Sequence, residues 1–329
     1  MSALRVIAAL VLLSAAGDAA LLCASARAEA PAPAFSFERL IMPDGEEPPV
    51  EVGVWTPASG SMEEPRPLIV ISHGNGGDFR SHRDTAEALA SSGFIVASLT
   101  HTGDNWRDQS RATDVANRPR QFAILIDYML NGWKGRSTID PQRIGAFGFS
   151  AGGFTVLSAA GGKPALEKVA DHCRAHPTFY DCKLLAAHPL DPSAARELAA
   201  WPARRDIKAM VIAAPALGFA FTRDGLASVT QPVQLWQASD DEVLPAPWYV
   251  EPVRKALPRK PEFHLVDPAG HFDFLAPCTP AIAASAPEIC RPTPGLDRTA
   301  FHLIFNREVV RFFRDELSAS ISAPPKSPQ

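Results

Sequence analysis

Ile144-Gly145-Ala146-Phe147-Gly148-Phe149-Ser150-Ala151-Gly152-Gly153-Phe154 is the stretch around which the chain is organised. A short apolar run with strand character breaks at Gly148-Phe149-Ser150-Ala151-Gly152, and Phe154-Thr155-Val156-Leu157 beyond it can start a helix. Together they fit the Gly-x-Ser-x-Gly nucleophile elbow. A strand-to-helix turn this tight strains the central residue and holds its side chain clear of the sheet, and a larger residue at either glycine would strike the neighbouring helix or strand. Ser150 is therefore a candidate nucleophile. The pattern also arises by chance in chains rich in alanine and glycine, so its meaning depends on its neighbours.

With 329 residues, 46% of them hydrophobic, and a formal charge of -4, the chain can bury a full core and has no basic excess that would suit a nucleic acid. Residues 1–30 read as a secretory signal peptide. Arg5 precedes the apolar run Val6-Ile7-Ala8-Ala9-Leu10-Val11-Leu12-Leu13, and small-residue cleavage sites end at Ala28 or Ala30. Asp18 interrupts the run short of the ~20 apolar residues a spanning helix needs. Membrane association is expected only if that segment is retained. Cys23 falls within it. The remaining Cys173, Cys182, Cys278 and Cys290 are an even set, read first as disulfides in an exported protein. The pairings Cys173 with Cys182 and Cys278 with Cys290 close the shortest loops, and others stay open.

The chain beyond the leader alternates strand and helix, which predicts a mostly parallel sheet. Residues 35–41 and 50–55 form an antiparallel edge pair across Pro43-Asp44-Gly45. Residues 67–72, 93–99, 207–214 and 232–237 are continuous apolar runs, as in strands buried on both faces, and residues 262–266 form the last strand. Helical spacing covers residues 81–91, 118–132 and 301–317, and residues 318–329 read as a frayed tail. Between about 161 and 206 the rhythm breaks into helical fragments, expected as a cap inserted over the site.

After the strand at 67–72 comes His73-Gly74-Asn75-Gly76-Gly77, a glycine-rich turn that exposes backbone N–H groups. The N–H groups of Asn75 and of Ala151, the residue after the serine, are the expected donors to an oxyanion. His73 is expected to orient rather than act as base. Asp104 and Trp106, in the loop after the next strand, are expected with His73 as possible pocket residues, at the sheet end where ligands bind. Their alternative is an ordinary loop role. Asp241, in Asp241-Glu242-Val243-Leu244-Pro245, follows a buried strand with the spacing of a triad acid, and Asp240 reads as a turn residue. His271 follows the last strand and can fold back to the serine as its base. In the cap, His172, Cys173, His176, Cys182 and His188 can bind metal. Their spacing matches no zinc pattern, so a Cys173–Cys182 disulfide with surface histidines is preferred and no metal is expected. His82 and His302 have no catalytic context, and His264 reads as structural.

Ser150, Asp241 and His271 in that order, with His73-Gly74-Asn75-Gly76 ahead of them, resemble the α/β-hydrolase superfamily. Within it the chain looks most like bacterial dienelactone hydrolase-like proteins and, more distantly, platelet-activating-factor acetylhydrolases, over about residues 35–317. The resemblance implies an α/β-hydrolase fold, a mostly parallel central sheet flanked by helices, and an exported, periplasmic or secreted serine hydrolase acting on a small-molecule ester without a cofactor. Two departures stand out. True dienelactone hydrolases carry a cysteine nucleophile, where this chain has Ser150. The acetylhydrolases place their acid after an earlier strand, which here reads Ala213-Ala214-Pro215-Ala216. An amidase or acyltransferase sharing the acyl-enzyme, or a binding protein that keeps the scaffold, are the alternatives.

Overall fold

The computed structural model describes residues 34–58, 64–200 and 202–318. The expected leader at 1–30 and the tail beyond 318 lie outside the described residues. Eight strands form one sheet: β1 (Phe35–Asp44), β2 (Glu47–Pro57), β3 (Arg66–Ser72), β4 (Ile95–Thr100), β5 (Ile139–Phe149), β6 (Ile207–Ala213), β7 (Val233–Ala238) and β8 (Glu262–Val266). Their order is β1-β2-β4-β3-β5-β6-β7-β8. β1 and β2 pair antiparallel with each other, as does β2 with β4, and every other pairing is parallel.

The apolar runs explain the layering. Leu68 and Val70 of β3 pack with Ile144 and Ala146 of β5 in one core, beside Phe122, Leu125 and Met129 of α2 (Asn117–Asn131) and Phe154 and Leu157 of α3 (Ala151–Ala159). Ile69, Ile71, Phe147 and Phe149 point the other way. They meet Leu89 of α1 (Arg83–Ser91) and Phe305, Val309 and Phe313 of the closing helix Arg298–Glu316. A strand that must bury both faces has no room for alternation with polar residues, and each such side chain contributes about 1.5–3 kcal/mol on burial.

The stretch expected as a cap forms three helices between α3 and β6: α4 (Lys168–Ala175), α5 (Tyr180–Ala187) and α6 (Ala194–Ala200). Disulfides join Cys173 to Cys182, tying α4 to α5, and Cys278 to Cys290 in the loop before the closing helix.

Two glycines show how differently the same residue can be required. Gly45 opens the two-residue turn between β1 and β2 with φ +62°, and a Cβ there would meet nothing within 4 Å. A Cβ on Gly152 would sit 2.0 Å from the Ser72 carbonyl oxygen, which is backbone and cannot move aside. Gly45→Ala is expected to cost about 1–2 kcal/mol, the penalty of a left-handed backbone alone. Gly152→Ala is expected to cost about 3 kcal/mol or more, because α3 must shift off β3. Urea denaturation of the two variants checks the order.

Candidate active site

Ser150 sits between β5 and α3 with φ 55° and ψ -119°, a backbone region that costs a non-glycine residue on the order of 1–3 kcal/mol. Four backbone hydrogen bonds hold it there. Its N–H donates to Ala213 O at 2.9 Å, and its carbonyl accepts from Gly153, Phe154 and Ala216 at 2.9, 3.3 and 2.9 Å. The loop after β6, where the acetylhydrolase pattern would put an acid, therefore serves here to brace the elbow.

The two other candidates converge on this serine. His271 begins a short turn after β8 and is buried, its ring packed 4.8 Å from that of Phe149. Its Nε2 lies 3.0 Å from Ser150 Oγ, and its Nδ1 lies 2.8 Å from Asp241 Oδ2. An ionised carboxylate only accepts, so Nδ1 carries the proton and Nε2 is left to accept from the serine hydroxyl. The second carboxylate oxygen of Asp241 accepts from the N–H groups of Val243 and Leu244 at 3.1 and 2.6 Å, which fixes its plane. Asp240 is exposed and turns away, donating its N–H to Ala269 O at 2.8 Å and accepting from Ser239 Oγ.

The histidine turn has its own support. Asp273 accepts from Gly270 N–H at 2.9 Å and from the Thr293 hydroxyl at 2.6 Å, and pairs with Arg298 of the closing helix at 3.0 Å.

The glycine-rich turn runs against the serine: a Cβ on Gly74 would lie 3.2 Å from Ser150 Cβ. Asn75 follows directly. Ala151 is the first residue of α3, so its N–H has no acceptor within the helix, at the end where the helix dipole is positive.

The expected pocket residues are placed otherwise. His73 is fully buried; its Nε2 accepts from the His101 N–H at 3.0 Å and its Nδ1–H donates to Gly74 O. Asp104 is 1% exposed and spends its Oδ1 on the Asn75 side-chain amide at 2.6 Å and the Gly76 N–H at 3.0 Å. Both thus hold the turn instead of lining a pocket. Trp106 is 58% exposed with the Arg107 guanidinium 4.5 Å over its ring, because the bridge between Asn105 and Asp108 turns that loop outward.

In the cap, His172, Asp181 and Cys182 come together, with candidate ligand atoms within 4.8 Å of one another. Each has another contact. The Cys182 sulfur is in the disulfide, the Tyr249 hydroxyl donates to Asp181 at 2.8 Å, and the His172 ring lies flat on Phe219 at 3.6 Å. A groove of about 810 Å³ between α1 and the closing helix is lined by Asp84, His302 and Arg311 and by none of Ser150, Asp241 or His271.

The profile of the prolyl oligopeptidase family matches residues 80–185, a span that includes the elbow and stops before Asp241 and His271. A protein of Nocardia uniformis subsp. tsuyamanensis named "Putative esterase NocK" is 27% identical over 112 residues. That match spans about a third of each chain, 33% of this one and 33% of the relative. The fold is that of the α/β-hydrolases.

One residue of this site escaped the sequence reading. Arg118 is only 3% exposed and lies in the first turn of α2, against the helix dipole. A cation at that end is unfavourable unless a buried acid answers it, and that was the available signal.

Burial and the Arg118 charge hold His73 at a pKa of about 3, burial chiefly holds His82 at about 3, and burial with Arg118 pushes His101 well below its ordinary value. Unfolding raises each to about 6.5. Below that pH the unfolded chain binds the protons, so stability is full above about pH 6.5 and falls towards pH 3, by up to about 1.4 kcal/mol per pH unit for each group. His82→Phe is expected to flatten the decline by about one proton, whatever it does at neutral pH. Urea midpoints from pH 7 to 4 for the two proteins measure this.

Proposed function

We propose that the protein is a serine hydrolase that cleaves small-molecule carboxylic esters through an acyl-enzyme. The observation that carries the reading is the continuous chain from Ser150 Oγ to His271 Nε2, and from Nδ1 to Asp241, built on a strained elbow. His271 takes the serine proton as Oγ attacks the acyl carbon. Asp241 keeps the imidazole in the tautomer that can accept and stabilises the imidazolium. The N–H groups of Asn75 and Ala151 receive the developing oxyanion, each worth about 3 kcal/mol in the transition state. His271 then protonates the leaving alcohol, and water repeats the cycle. These steps use side chains and backbone alone.

The esterase name of the Nocardia relative supports an ester over other acyl donors. The prolyl oligopeptidase profile favours a second reading, in which the same acyl-enzyme forms from an amide. A dienelactone hydrolase-like or acetylhydrolase-like assignment is a finer proposal, resting on the order of the motifs. Export to the periplasm or beyond is part of the same proposal, supported by the two disulfides and by the leader reading. Among the described residues, no helix is long and apolar enough to cross a membrane.

The test is hydrolysis of p-nitrophenyl esters from acetate to palmitate, with a p-nitroanilide beside them. Wild-type activity absent in Ser150→Ala is the expected outcome; activity that survives in Ser150→Ala would assign the chemistry elsewhere. Failure of a fluorophosphonate to label Ser150 would leave only a binding role for the scaffold. Asp241→Asn is expected to lower kcat by about 10⁴ with the fold intact, while Asp240→Asn stays near wild type. The reverse order would move the acid to Asp240.

A further inference from the structure

The oxyanion site needs two donors on different elements: Asn75 on the turn after β3, and Ala151 at the start of α3. The two elements meet where Gly152 lies against the Ser72 carbonyl, and a side chain from a third element ties them together beyond that contact. The side chain of Arg118, from α2, spans them. One arm of its guanidinium donates to the backbone carbonyl of His73, two residues before Asn75. Its Nε donates to the Thr155 hydroxyl at 3.1 Å, and that hydroxyl in turn donates to the carbonyl of Ala151 at 2.8 Å. The remaining arm pairs with Asp104 at 2.5 Å. Asp104 returns to the same turn, accepting from the Asn75 side chain and the Gly76 N–H. From the cap, the Tyr180 hydroxyl donates to the other end of the Asn75 amide.

We propose that Arg118, neutralised by Asp104, is the positioning residue of the oxyanion site, clamping the Asn75 turn and the Ala151 end of α3 at one separation. A buried cation is costly to keep, and an apolar side chain would fill the space more cheaply if packing were its only role. The planar fork explains why arginine suits the place. It meets three acceptors on three segments in fixed directions, which the single ammonium of a lysine cannot do. Arg118 touches no reacting atom. Its effect is on where the donors stand when charge develops, and that geometry governs kcat more than substrate binding.

The inference rests on the serine-hydrolase reading, and the experiment separates the two. Phosphonylation of Ser150 by a fluorophosphonate develops charge on the same oxygen position and needs no knowledge of the natural substrate. Its rate is measured beside kcat and KM for p-nitrophenyl acetate and beside thermal unfolding, in wild type, Ser150→Ala, Arg118→Lys and Thr155→Val. Thr155→Val keeps the ion pair and the shape but cuts the link to α3. Arg118→Lys is expected to lose about 10²-fold in both kcat and labelling rate with KM within about threefold, and Thr155→Val about tenfold. Wild-type rates in folded Arg118→Lys, or in Thr155→Val should Arg118→Lys fail to fold, overturn the clamp and leave the hydrolase reading standing. So does a loss confined to KM. A wild-type protein that resists labelling overturns both.

Discussion

The backbone at Ser150 is held in a conformation its own chemistry disfavours, and much of the fold is the means of holding it. Strain of on the order of 1–3 kcal/mol persists only where neighbours leave no relaxed alternative. Here those neighbours are the β6 carbonyl of Ala213, the N–H groups of Gly153, Phe154 and Ala216, and the contact of Gly152 with the carbonyl of Ser72. The strain thus depends on β3, β5 and β6 standing in the right order with α3 pressed flat upon them. That is what the two apolar cores supply. The consequence for chemistry is orientation: the hydroxyl points to His271 because the main chain has no other way to turn.

A second layer of order lies below the turn after β3, where polar groups are buried in number. His101 donates from Nδ1 to the Gln121 side-chain oxygen at 3.2 Å and accepts from the Ser72 hydroxyl at 2.9 Å. Gln121 and Arg120 both reach buried Asp44 at the end of β1. Every such group adds specificity only if it is satisfied, since removing one partner of a buried pair strands the other at about 3–5 kcal/mol. The polar layer therefore locks the turn and α2 to the edge of the sheet, and a surface hairpin becomes part of the site's foundation.

What could be read from the sequence follows from locality. The central strands were legible because burial on both faces forces continuous apolar runs, and Ser150 and Asp241 because each follows such a run within a few residues, while His271 follows the half-buried edge strand β8. Asp241 was separable from Asp240 by the apolar pair and proline after it, and the structure gives the same separation in burial. The pairings of Cys173 with Cys182 and of Cys278 with Cys290 were legible as short loops. The roles of His73, Asp104 and Trp106 were not. Whether a loop residue faces a pocket, the interior or solvent depends on the path of the loop, set here by the Asn105 to Asp108 bridge and by Arg118 fourteen residues after Asp104. The clamp was illegible for the same reason, because it joins three segments by one side chain.

The anchoring of the histidine turn by Asp273 to Thr293 and Arg298 sets an order in time. Synthesis runs from the N-terminus, so the elbow and the turn carrying Asn75 emerge long before the residues that seat His271. Until about residue 298 has emerged and the closing helix has docked, the serine has no oriented base. A chain cut short before that helix keeps Ser150 but loses the contacts of Asp273 that seat the His271 turn.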